Sequence, residues 1–150
     1  MTRRTALGLF AAVVPPLAVL EELDAFVAPR REAGGPWRWT AARTWHLTTA
    51  FMGDTAEADL EPLVENLRAA ASRTPSFDLR LGGGGCFPHP YGAKVLVLGV
   101  VEGADELTTL ARRSRTAAER AGVRTDGARF TPHLTLARTN RGVEATRWLR

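Results

Sequence analysis

The sequence is poor in several residues that would commit it to particular chemistries. It has one cysteine, Cys86. That excludes an intramolecular disulfide and a cysteine-rich zinc site, and it fits a cytoplasmic protein. Lys94 is the only lysine among 20 basic residues, so nearly all the positive charge sits on guanidinium groups. No apolar run approaches the roughly 20 residues that a membrane-spanning helix needs. Arg3 and Arg4 ahead of the apolar stretch Ala6 to Val14 give it the outline of a secretory signal. Pro15-Pro16 cut that stretch short, however, and no small-residue cleavage site follows, so a buried first strand is expected. Metal-binding patterns are also missing. There is no His-Glu-x-x-His, and three histidines with one cysteine are too few for a usual ligand set. The glycine run Gly82 to Gly85 lacks the Gly-Lys-Ser/Thr ending of a nucleotide loop and reads as a turn or bulge.

What remains is an ordinary globular composition. The chain has 150 residues, 45% of them hydrophobic, which suits one domain with a real core and excludes global disorder. The net charge of +4 is carried by arginine, whose planar fork fits phosphate oxygens. A general bias toward arginine over lysine accounts for most of these residues. The cluster Arg112, Arg113, Arg115 and Arg120 is accordingly expected to be a solvated helix face, with RNA contact as the alternative.

Periodicity gives the order β-α-β-α-β-β-α-β-α. Leu17, Leu20, Leu23 and Val27 recur at helical spacing up to Pro29. A strand is expected over Thr44 to Phe51, a turn at Gly53-Asp54, and a helix over 56–71. Phe77, Leu79 and Leu81 alternate with polar residues as in a half-buried strand. A loop over the glycines and a strand over 94–101 follow. A third helix is closed by Gly122, a strand covers 130–138, and a final helix begins at Val143. No glycine fingerprint follows the first strand, and an α+β domain with mainly antiparallel sheet fits as well as a parallel one.

One pattern occurs twice. Thr44-Trp45-His46-Leu47-Thr48-Thr49-Ala50 and Thr131-Pro132-His133-Leu134-Thr135-Leu136-Ala137 both read Thr-x-His-Leu-Thr-x-Ala. Two of the three histidines carry it; His89, between two prolines, does not and is read as a loop residue. On a strand, the histidine and the threonine two places on share a face, while Leu47 and Leu134 point the other way, into the core. Two imidazoles and two hydroxyls lining one cleft suit phosphodiester hydrolysis. A neutral imidazole activates water, a protonated one gives its proton to the leaving oxygen, and the hydroxyls donate to the phosphate. That chemistry requires neither a metal nor another cofactor. Trp37, Trp39, Phe87 and Tyr91 could stack on bases, but the two tryptophans are expected to pack in the core.

The paired motifs resemble those of the 2H phosphoesterase superfamily, in particular its RNA 2′,3′-cyclic phosphodiesterase (2′-5′ RNA ligase) branch. The most specific stretch is Arg129 to Arg138, and the likeness runs in order along nearly the whole chain. The resemblance implies a single domain over 1–150, built of two pseudo-symmetric α+β lobes of mainly antiparallel sheet around a central cleft. It implies opening of a 2′,3′-cyclic phosphate at an RNA end, or of a small cyclic nucleotide, to a 2′-phosphomonoester. It assigns His46 as acid, His133 as base, and Thr48, Thr135 and Arg138 as phosphate-binding residues. The partner is then RNA or a cyclic nucleotide, with no membrane and no obligatory protein partner. The alternatives are a non-catalytic RNA- or nucleotide-binding module and RNA 2′-5′ ligation. Family members continue beyond the second motif through a full helix and two strands, whereas this chain ends at Arg150, so a fold shortened at its C-terminus is expected.

Overall fold

The computed structural model describes residues 6–127 and 129–149; Arg3 and Arg4 lie outside them. The elements are β1 (Ala6–Val13), α1 (Leu17–Glu32), β2 (Arg38–Trp39), β3 (Leu47–Ala56), α2 (Leu60–Ser72), β4 (Arg80–Phe87), β5 (Ala93–Glu102), α3 (Ala104–Arg120) and β6 (Leu134–Val143). The class is α+β, as expected. The chain forms two compact units: the chain up to Val13 with Thr48–Asp78 and Gly103–Pro132, and Val14–Leu47 with Leu79–Glu102 and the chain from His133. No helix among the described residues is long and apolar enough to cross a membrane.

The first unit pairs β1 with β3 and packs α2 against α3. Met52, Leu63, Ala118 and Val123 form its core, joined by Leu9, Ala11 and Leu67. Thr49 Oγ1 donates to the Ala11 carbonyl at 3.2 Å and fastens β3 to β1. Gly122, at φ +83°, ends α3 as expected, with the Val123 N–H returning to the Ala118 carbonyl at 3.0 Å. The turn expected at Gly53-Asp54 is absent: β3 runs straight through both residues to Ala56. Met52 and Thr55 on either side are buried, so tertiary burial overrides the local turn preference.

The second unit is a four-stranded antiparallel sheet in the order β2-β6-β5-β4. Trp37, Leu96, Ala137 and Trp148 form the core on one face, with Trp39 and Cys86 packed against them. Trp37 and Trp39 each meet Trp148 edge-on, which bears out the core reading of both tryptophans. Burial there raises the Cys86 thiol above its ordinary pKa. Helix α1 adds Leu20, Leu23 and Val27 and continues three residues beyond Pro29. Arg30 caps the Phe26 carbonyl at 3.0 Å and lies 4.3 Å over the Phe26 ring, while Arg31 pairs with Asp24 at 3.0 Å, so side chains brace the turn that proline weakens.

Two further expectations are corrected in this unit. The glycines Gly82 to Gly85 lie inside β4, not in a loop after it. A Cβ on Gly84 would sit 3.0 Å from the Leu149 backbone, and one on Gly99, across on β5, 3.1 Å from the Gly82 carbonyl. Close backbone approach therefore explains the run, and the register breaks between Leu81 and Gly84 give the bulge. The helix expected from Val143 is instead the end of β6 and a single 3-10 turn, Thr146–Leu149, whose Trp148 is drawn into the core.

Candidate active site

Both copies of the repeated motif start a strand at the same place, at the leucine after histidine. Each histidine therefore lies one residue ahead of its strand, not within it. From Leu47 to Asp54 and from Leu134 to Arg141 the order of buried, half-buried and exposed positions is identical. Leu47 is 1% exposed and Leu134 0%, so both leucines enter the core as their spacing predicts. Thr48 and Thr135 are both half-buried. The duplication is thus one of environment as well as of letters.

His133, Thr135 and Arg138 meet on one face of the four-stranded sheet because of a bulge. Thr135 pairs with Val97 and Ala137 with Leu96, so Leu136 has no opposite number on β5; Arg138 then pairs with Val95. Paired residues in an antiparallel ladder share a face, as do residues two apart. Val95 and Val97 share a face, hence Thr135 and Arg138 do too, although three residues apart they would otherwise point oppositely. Phe87 pairs with Val95 and joins that face. The His133 ring meets the Phe87 ring edge-on, with centroids 5.1 Å apart. The same register sets Arg38 of β2 opposite Arg138, and Arg38 donates to Asn140 Oδ1 at 3.1 Å. A cavity of about 570 Å³, lined by Phe26, Trp39, Leu98 and Leu136, opens on the other side and includes none of these site residues.

His46 belongs to the same unit as His133, Thr135 and Arg138; Thr48 is the first residue of a segment of the other unit. His46 Nδ1 lies 2.7 Å from the Thr44 carbonyl oxygen. A carbonyl only accepts, so Nδ1 carries the proton in this contact and Nε2 is the ring's other nitrogen. The segment before His46 is tied to β6 by Thr40. The buried Trp45 indole donates to Thr40 Oγ1 at 2.8 Å, and Thr40 Oγ1 and N donate to the Leu136 carbonyl at 3.0 and 2.9 Å. Thr40 thus satisfies the bulged residue's carbonyl and links the two motif segments within the unit. Thr40→Val removes the acceptor for a buried N–H and is expected to cost about 1–3 kcal/mol, with Thr40→Ser close to the unmodified chain. Equal urea midpoints for the valine variant and the unmodified chain would contradict this.

Sequence reasoning missed Thr40 and Arg38, and named Phe87 only as an aromatic that could stack on bases. They enter through strand register and a tertiary hydrogen bond, which no local spacing announces. His89 is an exposed loop residue, as expected, its ring against Gly92. Among the described residues, no group of three or more His, Cys, Asp or Glu side chains is placed to hold a metal ion.

Residues 15–149 match the 2′-5′ RNA ligase superfamily. The RNA 2′,3′-cyclic phosphodiesterase of Aquifex aeolicus is 32% identical over 102 residues, which are 67% of this chain and 54% of that protein. The protein of the same name from Aeropyrum pernix is 35% identical over 109 residues, 70% of this chain and 58% of that one. The chain thus spans about half the length of these relatives. Among solved structures, E. coli LigT superposes with a TM-score of 0.73 at 29% identity, over 89% of this chain and 73% of that one. It has also been solved complexed with 3′-AMP. The motifs, the fold and these likenesses agree, and the chain belongs to the 2′-5′ RNA ligase superfamily.

Proposed function

We propose that the chain hydrolyses the 2′,3′-cyclic phosphate of RNA ends, or of small cyclic nucleotides, to a 2′-phosphomonoester by two-histidine acid/base catalysis. The observation that carries this reading is the duplicated His-Leu-Thr motif with its matching burial. The names of the relatives, which are RNA 2′,3′-cyclic phosphodiesterases, support it. In this reading the two units work as one domain.

The step balances as follows. His133 takes a proton from water as its oxygen attacks phosphorus. The bond from phosphorus to the 3′-oxygen breaks, and His46 gives that oxygen a proton from Nε2. The 2′-phosphomonoester and a free 3′-hydroxyl result, and the imidazoles re-equilibrate with solvent. Thr135 donates its hydroxyl to a non-bridging oxygen, and Arg138, on the same face, adds positive charge. Thr48 takes the matching role on the strength of its spacing from His46. Both proton transfers are served by side chains, so the proposed reaction is independent of metal.

Incubating adenosine 2′,3′-cyclic phosphate with the chain and excess EDTA tests the reading. Accumulation of adenosine 2′-phosphate is expected. No turnover, turnover abolished by EDTA, or the 3′-phosphate as sole product would reject it.

A further inference from the structure

A groove lined by arginines lies in the other unit. Helices α2 and α3 pack against each other and leave a groove of about 300 Å³ between their outer faces. Arg73 from α2's end and Arg112, Arg113 and Arg120 from α3 line it, with Asn66 and Thr116 between them. The spacing explains the convergence: 66, 69 and 73 fall on one face of α2, and 112, 116 and 120 make one stripe of α3. Ala69 and Ala117 are small enough to leave the groove open.

Four guanidinium groups around one groove repel one another in the absence of counter-charge. Some arginines elsewhere find carboxylates: Arg31 with Asp24, Arg80 with Glu102, Arg115 with Asp126. None of Arg73, Arg112, Arg113 and Arg120 has an ion-pair partner among the described residues. Glu119, next to Arg120, instead accepts a hydrogen bond from Thr125 at 3.0 Å. The groove is also braced. Asn66 Nδ2 donates to the Ala117 carbonyl at 3.2 Å, and Arg113 donates to Thr74 Oγ1 at 3.0 Å and to the Arg73 carbonyl at 3.3 Å. A rigid frame carrying arginine forks without carboxylate partners is matched to phosphate oxygens. No aromatic side chain lines the groove, so there is no platform for bases and the backbone is what it reads.

We propose that this groove binds the phosphate backbone of the RNA substrate, away from the reacting end and without regard to sequence. That the polyanion is RNA rests on the function proposed above; the groove and its chemistry do not.

The test measures binding of a labelled 20-nucleotide single-stranded RNA with an ordinary 3′-hydroxyl by anisotropy over a salt series. In Arg112→Gln/Arg120→Gln, Kd is expected to rise on the order of ten-fold at 0.1 M salt, and the slope of log K against log salt to shrink by about 1.4, for two lost single-strand phosphate contacts. Arg112→Lys/Arg120→Lys, which keeps the charge, retains most of the slope. Arg68→Gln/Arg124→Gln removes the same charge from exposed positions of the same unit outside the groove and is expected to change Kd by less than a third as much on a log scale. Turnover of adenosine 2′,3′-cyclic phosphate, too small to reach a second site, stays unchanged in the groove variant. Equal weakening by the two Gln pairs, an unchanged slope in the groove variant, or heparin binding in the groove with no RNA binding overturns the proposal. Absence of cyclic-phosphate turnover in the unmodified chain overturns the function reading alone, since the RNA comparison can still be read.

Discussion

His46→Ala and His133→Ala are each expected to lower kcat on a 2′,3′-cyclic phosphate by about 10²- to 10⁴-fold, the range for loss of one positioned proton-transfer group. The double variant is expected to be little worse than the weaker single, because two groups serving one step fail as a unit. Both side chains are half-buried. Removing them leaves Leu47 and Leu134, which anchor the strands, in place, so far-UV circular dichroism should not change. The pH dependence separates the roles. If one imidazole must be neutral and one protonated, as proposed, the unmodified chain is expected to give a bell. Activity falls at low pH as the base gains a proton and at high pH as the acid loses one. His46→Ala, lacking the proposed acid, is expected to lose the alkaline limb in its residual rate, and His133→Ala, lacking the proposed base, the acidic limb. Identical residual profiles in the two variants would contradict separate roles.

Leu134→Ala is expected to destabilise the protein by about 2–5 kcal/mol, the range for a fully buried leucine whose surroundings relax only partly. The effect should extend to chemistry. Leu134 is the residue between His133 and Thr135, and its burial is what turns both toward the opposite face. A cavity beneath it is expected to loosen the geometry on which the proposed proton transfer depends. Val101, on β5 but 62% exposed, serves as the comparison: Val101→Ala should stay within about 0.5 kcal/mol. Urea melts of the two variants decide the matter. A loss below 1 kcal/mol at Leu134 would mean that this strand is not anchored as described.

The sequence disclosed those parts of the site that depend on neighbours along the chain. The repeated Thr-x-His-Leu-Thr-x-Ala pattern, the inward leucines and the core tryptophans were all readable from spacing and residue type. Partners across the sheet were not. Thr135 and Arg138 share a face only because Leu136 is bulged, and nothing in His-Leu-Thr-Leu-Ala-Arg reveals which residue drops out of register. Thr40 carries no mark of its bond to the Leu136 carbonyl. The same limit explains the fold-level corrections. The local freedom of the β4 glycines reads as a loop, whereas backbone contact with Leu149 and Gly99 holds them in a strand. Gly53-Asp54 reads locally as a turn, whereas burial of Met52 and Thr55 keeps β3 extended. The arginines of α3 were visible as a charged stripe. Their meeting with Arg73 across a groove needed the packing of α2.

The proposed division of labour between the histidines is best tested with a cyclic substrate in which sulfur replaces the bridging 3′-oxygen. A thiolate leaves without needing a proton, so the acid becomes dispensable while the base does not. His46→Ala is expected to recover most of its activity on the sulfur substrate, and His133→Ala to remain impaired. Equal impairment of both variants on both substrates, or full activity of either on the oxygen substrate, would contradict the two-histidine account.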